Sequence, residues 1–158
     1  MEGLIVKALS GFYYVKTDEG TVECRARGRF RLDGSSPLVG DRVVVSLDAQ
    51  NRGRVDKILP RRNMFIRPAV ANIDALVAVA SVSEPETDPF LIDRVAATAE
   101  RAGCEVIVCI NKADTGDARK LASIYDGTGY TVIVTSAAKG DGIDGLRRAI
   151  DGKICAFS

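Results

Sequence analysis

The chain contains no histidine. That absence removes His-based catalytic triads, His metal clusters and imidazole general bases together. Its four cysteines, Cys24, Cys104, Cys109 and Cys155, form no C-x-x-C pair. They read as small apolar residues in a reducing compartment, not as a disulfide framework or a zinc site. No apolar run approaches the roughly 20 residues that span a bilayer. The N-terminus lacks the charged-then-apolar pattern of a signal peptide, so a cytoplasmic location without membrane attachment is the expectation. One further absence bears on chemistry: no G-x-x-x-x-G-K-[ST] phosphate-cradling loop occurs anywhere in the sequence.

What is present is ordinary globular material. The 158 residues are 46% hydrophobic and 27% charged, enough for one domain or two small ones. The net charge of +1 hides an asymmetry. Residues 1–62 carry 12 Lys/Arg against 8 Asp/Glu, whereas the remaining 96 carry 10 against 13. A basic front half beside a mildly acidic back half predicts two modules with different partners.

The front half is built of short β signals: LIVKAL (Leu4–Leu9), FYYVK (Phe12–Lys16), TVECRAR (Thr21–Arg27), DRVVVSL (Asp41–Leu47) and GRVDKI (Gly53–Ile58). Ser-Gly, Asp-Glu-Gly, Gly-Asp and Asn-Arg-Gly punctuate them. Five strands in about sixty residues predict a small closed barrel of the OB type. Pro60 and the Arg-Arg-Asn run break the pattern, placing the domain boundary after residue 62.

Beyond it the period changes. IDALVAVA (Ile73–Ala80) is a continuous apolar run, as in a strand buried on both faces of a parallel sheet. A helix follows, capped by Asp88, with Pro89 in its first turn and Gly103 at its stop. Leu91, Val95, Ala99 and Ala102 recur along it at helical spacing. EVIVCI reads as strand, Ala118–Tyr125 as helix, TVIVTS as strand, Ile143–Ile150 as helix and KICAFS as a last strand. This βαβαβαβ order predicts a parallel sheet flanked by helices, with ligands outside the carboxyl ends of its strands. Asn111, Ser136 and Ser158 stand at three of those ends.

The loop Asn111-Lys112-Ala113-Asp114 has the chemistry of a guanine reader. Guanine offers two adjacent donors, N1–H and the N2 amino group, and the Asp114 carboxylate accepts both at once. Adenine presents an unprotonated N1 there, whose lone pair would face the carboxylate. Charge-assisted hydrogen bonds contribute roughly 1.5–3 kcal/mol each, enough for strong discrimination. Asn111 ties the loop to its neighbours and to the base edge. Lys112 lays its alkyl stem along the base plane with its ammonium in water. One βα unit later TSAAKG (Thr135–Gly140) follows another strand, where small residues at Ser136 and Ala137 let backbone N–H groups approach guanine O6. Either motif alone also fits an ordinary polar loop. The pair, in this order and at these strand ends, points to a guanine site.

With these motifs the sequence resembles a known family, the circularly permuted GTPases. It is most similar to the small-ribosomal-subunit-dependent GTPase A family (RsgA, also called YjeQ). VGDRVVV (Val39–Val45), IRPAVANIDALVAV (Ile66–Val79), FLIDRV (Phe90–Val95), INKAD (Ile110–Asp114) and TSAAKGDGIDGL (Thr135–Leu146) carry the likeness over almost the whole chain. In this family the guanine motifs precede the P-loop, which follows a strand like KICAFS. The resemblance implies a GTPase of ribosome biogenesis binding GTP and GDP, monomeric, with small ribosomal subunits and 16S ribosomal RNA as partners. It also implies that the P-loop, the Mg²⁺ site, the switches and a C-terminal zinc domain belong beyond Ser158. On that reading the chain is an N-terminal fragment, with no catalytic or metal-binding residue of its own and no GTP hydrolysis. The family pattern has Ser-Ala-Lys where this chain has Ser136-Ala137-Ala138, which leaves a lysine side-chain role there in doubt.

The front half carries a second candidate surface. Arg25, Arg27, Arg29 and Arg31 alternate, and a strand continued through them would project all four from one side. Arg42, Arg52, Arg54, Arg61 and Arg62 add charge nearby in sequence, with Phe12, Tyr13, Tyr14 and Phe30 interleaved. OB folds bind nucleic acid through basic grooves with stacking platforms, so Arg25, Arg27, Arg29, Arg31, Arg52 and Arg54 are the expected RNA contacts. The plain alternative is a solvated face with Phe12 and Tyr14 in the core. Two other functions compete with the ribosomal GTPase. One is a non-hydrolysing RNA-binding module with a degenerate nucleotide fold; the other is a GTPase acting on a different RNA or protein.

Overall fold

The computed structural model describes residues 1–28, 30 and 35–158. Arg29 and Arg31 lie outside the described residues. Strands β1 (Glu2–Leu9), β2 (Phe12–Thr17), β3 (Gly20–Ala26), β4 (Arg42–Leu47) and β5 (Gly53–Ile58) close into a barrel in the order β1-β2-β3-β5-β4. The β1–β4 pairing seals it, and β3 runs parallel to β5 while the other pairs are antiparallel. This is the five-stranded arrangement that the turn spacing predicts.

Alternation along each strand sends Ile5, Val15, Cys24, Val43, Val45 and Val55 inward, where each is essentially inaccessible. Two of the four interleaved aromatics leave the candidate RNA surface for the core, and the other two stay out of it, against the plain alternative. Tyr13 packs against this core together with buried Phe30, whereas Phe12 and Tyr14 lie on the other face of β2. Val15 fixes that phase: once it points inward, Tyr13 follows and its neighbours cannot. Strand β3 also stops at Ala26, so Arg27 lies beyond it and the arginine alternation does not run along one strand.

Asp41 is wholly buried beneath the barrel's edge. Its carboxylate accepts from Leu38 N at 2.7 Å and from Arg61 Nε and Nη2, both at 2.8 Å. Arg61 Nη2 also donates to Ser36 O. The hydrogen bonds from its guanidinium to Asp41 raise the Arg61 pKa above its ordinary value. Arg61 is therefore a structural cation and leaves the set of charges open to a ligand.

After Arg62 the chain folds back. Strands β6 (Met64–Phe65) and β7 (Val70–Ala71) form a hairpin, with Ala71 N donating to Val39 O and Asn72 Nδ2 to Gly40 O, both at 2.9 Å. Gly40 adopts φ +91°, and a Cβ there would run into the Ala71 carbonyl. These contacts carry the first compact unit to Asn72, past the break at Pro60–Asn63 where composition places the boundary.

The second unit spans Ile73–Ser158. It contains β8 (Ala75–Ser81), α1 (Pro89–Arg101), β9 (Glu105–Asn111), α2 (Arg119–Tyr125), β10 (Thr131–Val134), α3 (Ile143–Ile150) and β11 (Cys155–Phe157). The four strands form a parallel sheet in the order β10-β9-β8-β11. Helix α3 covers Ala75, Val77, Ile107 and Cys109. Their alternates Leu76, Ala78, Val106 and Val108 are also buried, and α1 packs on the same two strands. Asp88 caps α1 by accepting from Phe90 N at 2.9 Å, and Gly103 ends it at φ +69°. The buried stripe of α1 is Ile92, Ala96 and Ala99, one residue round from the expected Leu91 and Val95. Alanines at the contact let the helix axis approach the sheet closely, which a Leu-Val stripe would prevent.

The buried pair generates a stability prediction. Asp41→Ala leaves the Arg61 guanidinium and Leu38 N–H without their acceptor, so unfolding free energy should fall by about 3–5 kcal/mol. Urea denaturation followed by circular dichroism checks it; a loss under about 1 kcal/mol, within the range of exposed ion pairs, would contradict a structural role for the pair.

Candidate functional site

Asn111 is the last residue of β9, and Ser136 follows β10 by two residues. Parallel pairing of β9 with β10 brings both strand ends to the same edge of the sheet. Direct hydrogen bonds then join the two loops. Asn111 Oδ1 accepts from Thr135 Oγ1 at 3.2 Å and from Ala137 N at 3.0 Å. Ala113 N donates to Thr135 O at 3.1 Å. Ser136 Oγ donates to Asp114 Oδ1 at 2.6 Å. Ser136 is itself 2% exposed, while the Asp114 carboxylate it holds faces solvent.

The electrostatics keep that carboxylate charged. The hydrogen bond from Ser136 lowers the Asp114 pKa below its ordinary value, helped by the Asp114 backbone N–H and by the Lys139 charge. A depressed carboxyl pKa gives a stabilising contribution present at neutral pH and lost as pH falls through the native value. Asp114 is thus a fixed acceptor across the physiological range, as the recognition of two donors on one base edge requires.

Lys112 departs from expectation. Its ammonium is not left to water alone: Nζ donates to Glu84 O at 2.9 Å and Ser83 O at 3.4 Å. Its backbone takes φ +64°, a left-handed conformation that a non-glycine residue adopts only when its surroundings hold it there. The stem is therefore stretched between the guanine loop and the loop after β8. Ala137 N, expected to face guanine O6, is already engaged by Asn111 Oδ1. Sequence reasoning misses three supports. Thr135 is buried with its hydroxyl on Asn111. The Ser83 and Glu84 carbonyls that hold Lys112 belong to the backbone, which carries no residue signal. Ser136 N donates to Asp141 O at 2.9 Å, closing the second loop. Gly142, at φ +74° against the Val134 carbonyl, is the one visible sign of that closure.

In the barrel, the structure sorts the expected RNA contacts by what already holds them. Arg52 is paired with Asp48 at 2.8 Å. Arg27 and Arg54 both reach Asp56, at 2.8 and 3.0 Å. Arg25 has no ion pair among the described residues; its guanidinium lies over the Phe12 ring, 4.6 Å from the centroid. Beside it Lys7 lies over Tyr14 at 5.0 Å. Among the described residues no group of three or more Cys, Asp or Glu is arranged to hold a metal ion.

Ser136→Ala should release the Asp114 carboxyl, whose pKa then moves up toward the ordinary 3.8. Carboxyl ¹³C chemical shifts titrated from pH 2 to 6 measure this directly. An unchanged Asp114 titration would mean that Ser136 does not hold it.

Comparison with known proteins places the geometry in a lineage. The chain matches the RsgA N-terminal domain over residues 2–55 and the RsgA GTPase domain over residues 58–158. It is 41% identical over 161 residues to the small ribosomal subunit biogenesis GTPase RsgA of Caldanaerobacter subterraneus, covering 100% of this chain and 55% of that protein. A protein of the same name from Clostridium kluyveri is 41% identical over 157 residues, covering 98% and 54%. Among solved structures, YjeQ from Thermotoga maritima aligns with a TM-score of 0.82 at 35% identity, covering 99% of this chain and 59% of that one. YloQ, described as a circularly permuted GTPase, aligns with a TM-score of 0.76 at 34% identity, covering 99% and 58%. The chain spans about half the length of the curated relatives it matches. With both of its halves matched, the chain belongs to the RsgA GTPase family.

Proposed function

We propose that these residues are the guanine-reading and RNA-contacting part of a GTPase acting in small ribosomal subunit biogenesis. The observation that carries the reading is the pair of hydrogen bonds, Ser136 to Asp114 and Ala137 to Asn111, that joins two strand-end loops into one surface. On this surface Asp114 accepts from guanine N1–H and N2. The Asn111 amide and the shared Ala137 N–H are offered to O6, and the Lys112 stem lies against the ring. Similarity to RsgA proteins supports GTP and GDP as ligands, and small ribosomal subunits as the partner through barrel contacts with their RNA. The protein's ordinary place of action is then the cytoplasm.

The residues present do not fit the remaining parts of the reaction. Phosphoryl transfer needs a phosphate cradle, a Mg²⁺ ion and a group to position water. The sequence holds no P-loop motif, and its described carboxylates form no metal-binding cluster. The part of the reaction these residues are proposed to supply is base recognition; no ligand set for Mg²⁺ or zinc is gathered among the described residues.

Two outcomes follow for nucleotides. These 158 residues should release no phosphate from GTP above background, with or without small subunits, and should bind GTP no better than roughly 1 mM, about −4 kcal/mol. In a version extended through a P-loop, Asp114→Asn should lose GTP affinity and gain affinity for xanthosine triphosphate, whose C2 oxygen accepts from the new amide. Calorimetry with both nucleotides checks this. GTP affinity that survives the substitution would remove Asp114 from the base-reading role.

For RNA, a salt titration separates a binding face from a solvated surface. Replacing Arg25, Arg27, Arg29 and Arg31 together by Ser should weaken binding to small-subunit RNA. It should also flatten the dependence of log K on log salt by roughly 0.7–0.9 for each phosphate no longer neutralised. Coinciding slopes for the wild-type and substituted proteins, both folded by circular dichroism, would sink the RNA interface.

A further inference from the structure

The outer face of the barrel carries a row of side chains set by strand register. Leu9 pairs with Phe12, Phe12 with Arg25, Arg25 with Arg54 and Arg54 with Ser46, so the row crosses all five strands. Next to it runs a second row, Lys7 to Tyr14 to Glu23. At the Phe12–Arg25–Arg54 positions the first row borders a groove of about 700 Å³ between β3 and the β4–β5 connection, with Glu23 and Asp48 also in its lining.

The charges around this groove are not equally available. Arg52 and Asp48 neutralise one another. Among the described residues Asp56 answers two guanidiniums, Arg27 and Arg54, one carboxylate against two cations. Arg25 has no carboxylate partner among the described residues and is exposed, yet it is not loose. Its guanidinium carbon lies over the Phe12 ring, 4.6 Å from the centroid. A planar cation backed by an aromatic ring presents a second flat face to solvent. Such planes stack unpaired nucleobases, whereas a duplex keeps its base faces hidden and offers only phosphates and groove edges. Phosphates on either side of a stacked base would meet the surplus charge of Arg25 and of the Arg27–Asp56–Arg54 group.

We propose that this groove binds unpaired RNA nucleotides, with a base stacked on the Arg25–Phe12 pair and the adjoining phosphates on Arg54 and Arg27. The inference rests on the proposed RNA interface and narrows it from charge to shape: a single-stranded segment, not a helix. Phe12 acts by keeping the Arg25 guanidinium over its ring, so removing either side chain removes the platform. Glu23 and Asp48, acceptors at the groove's wall, disfavour a phosphate there and leave that side to base edges.

The test uses the whole chain and two fluorescein-labelled RNAs, an unstructured hexamer of mixed A and U and a 12-base-pair duplex. Fluorescence anisotropy is read at two salt concentrations. The hexamer should bind roughly tenfold more tightly than the duplex. Arg25→Lys keeps the charge and removes the plane; it should weaken the hexamer roughly tenfold, leave the duplex unchanged and preserve the salt slope. Phe12→Leu should act in the same direction. Both sites lie on the outer face, and thermal unfolding confirms that the variants are folded. Equal binding of hexamer and duplex, or a hexamer affinity untouched by Arg25→Lys, overturns the single-strand inference while salt-dependent RNA binding persists. Absence of binding to either RNA and to small-subunit RNA sinks the parent reading as well. Displacement of the hexamer by poly-glutamate at equal charge, with the same sensitivity to Arg25→Lys, would also overturn it by pointing to an acidic protein segment.

Discussion

The side-chain carbonyl of Asn111 fixes the geometry on which the candidate nucleotide surface depends. One oxygen accepts from the Thr135 hydroxyl and the Ala137 amide, which belong to the loop after the neighbouring strand. The Asn111 backbone ends β9, so the bond locks one strand end to another across the sheet. No aliphatic residue can replace it, because two donors would be left without their acceptor. An aspartate at 111 would keep the acceptor but lose the amide hydrogens that the proposed base contact uses.

The barrel obeys a different constraint, the pairing of its cations. The sequence shows a run of arginines and a basic balance, which by itself says little, since many surface arginines are solvated. Pairing divides them. Arg61 is committed to the buried Asp41 and stabilises the unit. Arg52 is answered by Asp48, a solvent-facing contact of small energetic consequence. Arg25 lies over an aromatic ring and has no carboxylate partner among the described residues, so its charge stays available. The same residue type thus has three physical roles within about forty positions of sequence.

Much of the architecture is legible in the sequence because it follows from short-range rules. Asp88 before Pro89 can do little but start a helix, and Gly103 at φ +69° can do little but end one. Five alternating segments separated by turn residues have few ways to close other than a barrel. The departures share a cause, since each depends on phase or on partners distant in sequence. Leu91 and Val95 lie on a stripe adjacent to Ile92, Ala96 and Ala99, and periodicity alone cannot say which of two neighbouring stripes faces the sheet. Phe12 and Tyr14 alternate as well as Tyr13 and Val15 do, and only the packing of Val15 selects the phase. The first unit's extension to Asn72 depends on Arg61, Ala71 and Asn72 meeting residues 36–41, which no local window contains. The ammonium of Lys112 is held by two backbone carbonyls, partners that have no signature in sequence.

The locality of these contacts bears on how such a surface survives rearrangement of a chain. The hydrogen bonds that orient Asn111, Lys112, Asp114 and Ser136 begin and end between Val82 and Asp141. Circular permutation changes which segments are joined, and it leaves contacts inside a contiguous segment intact. If this surface reads a base as proposed, it is preorganised before any phosphate-binding part is in place, so its ordering entropy is met in folding and not at nucleotide capture. The phosphate-binding part need only be brought within reach, at either end of the segment. Order along the chain can then vary between GTPase lineages while the chemistry that distinguishes guanine from adenine stays the same.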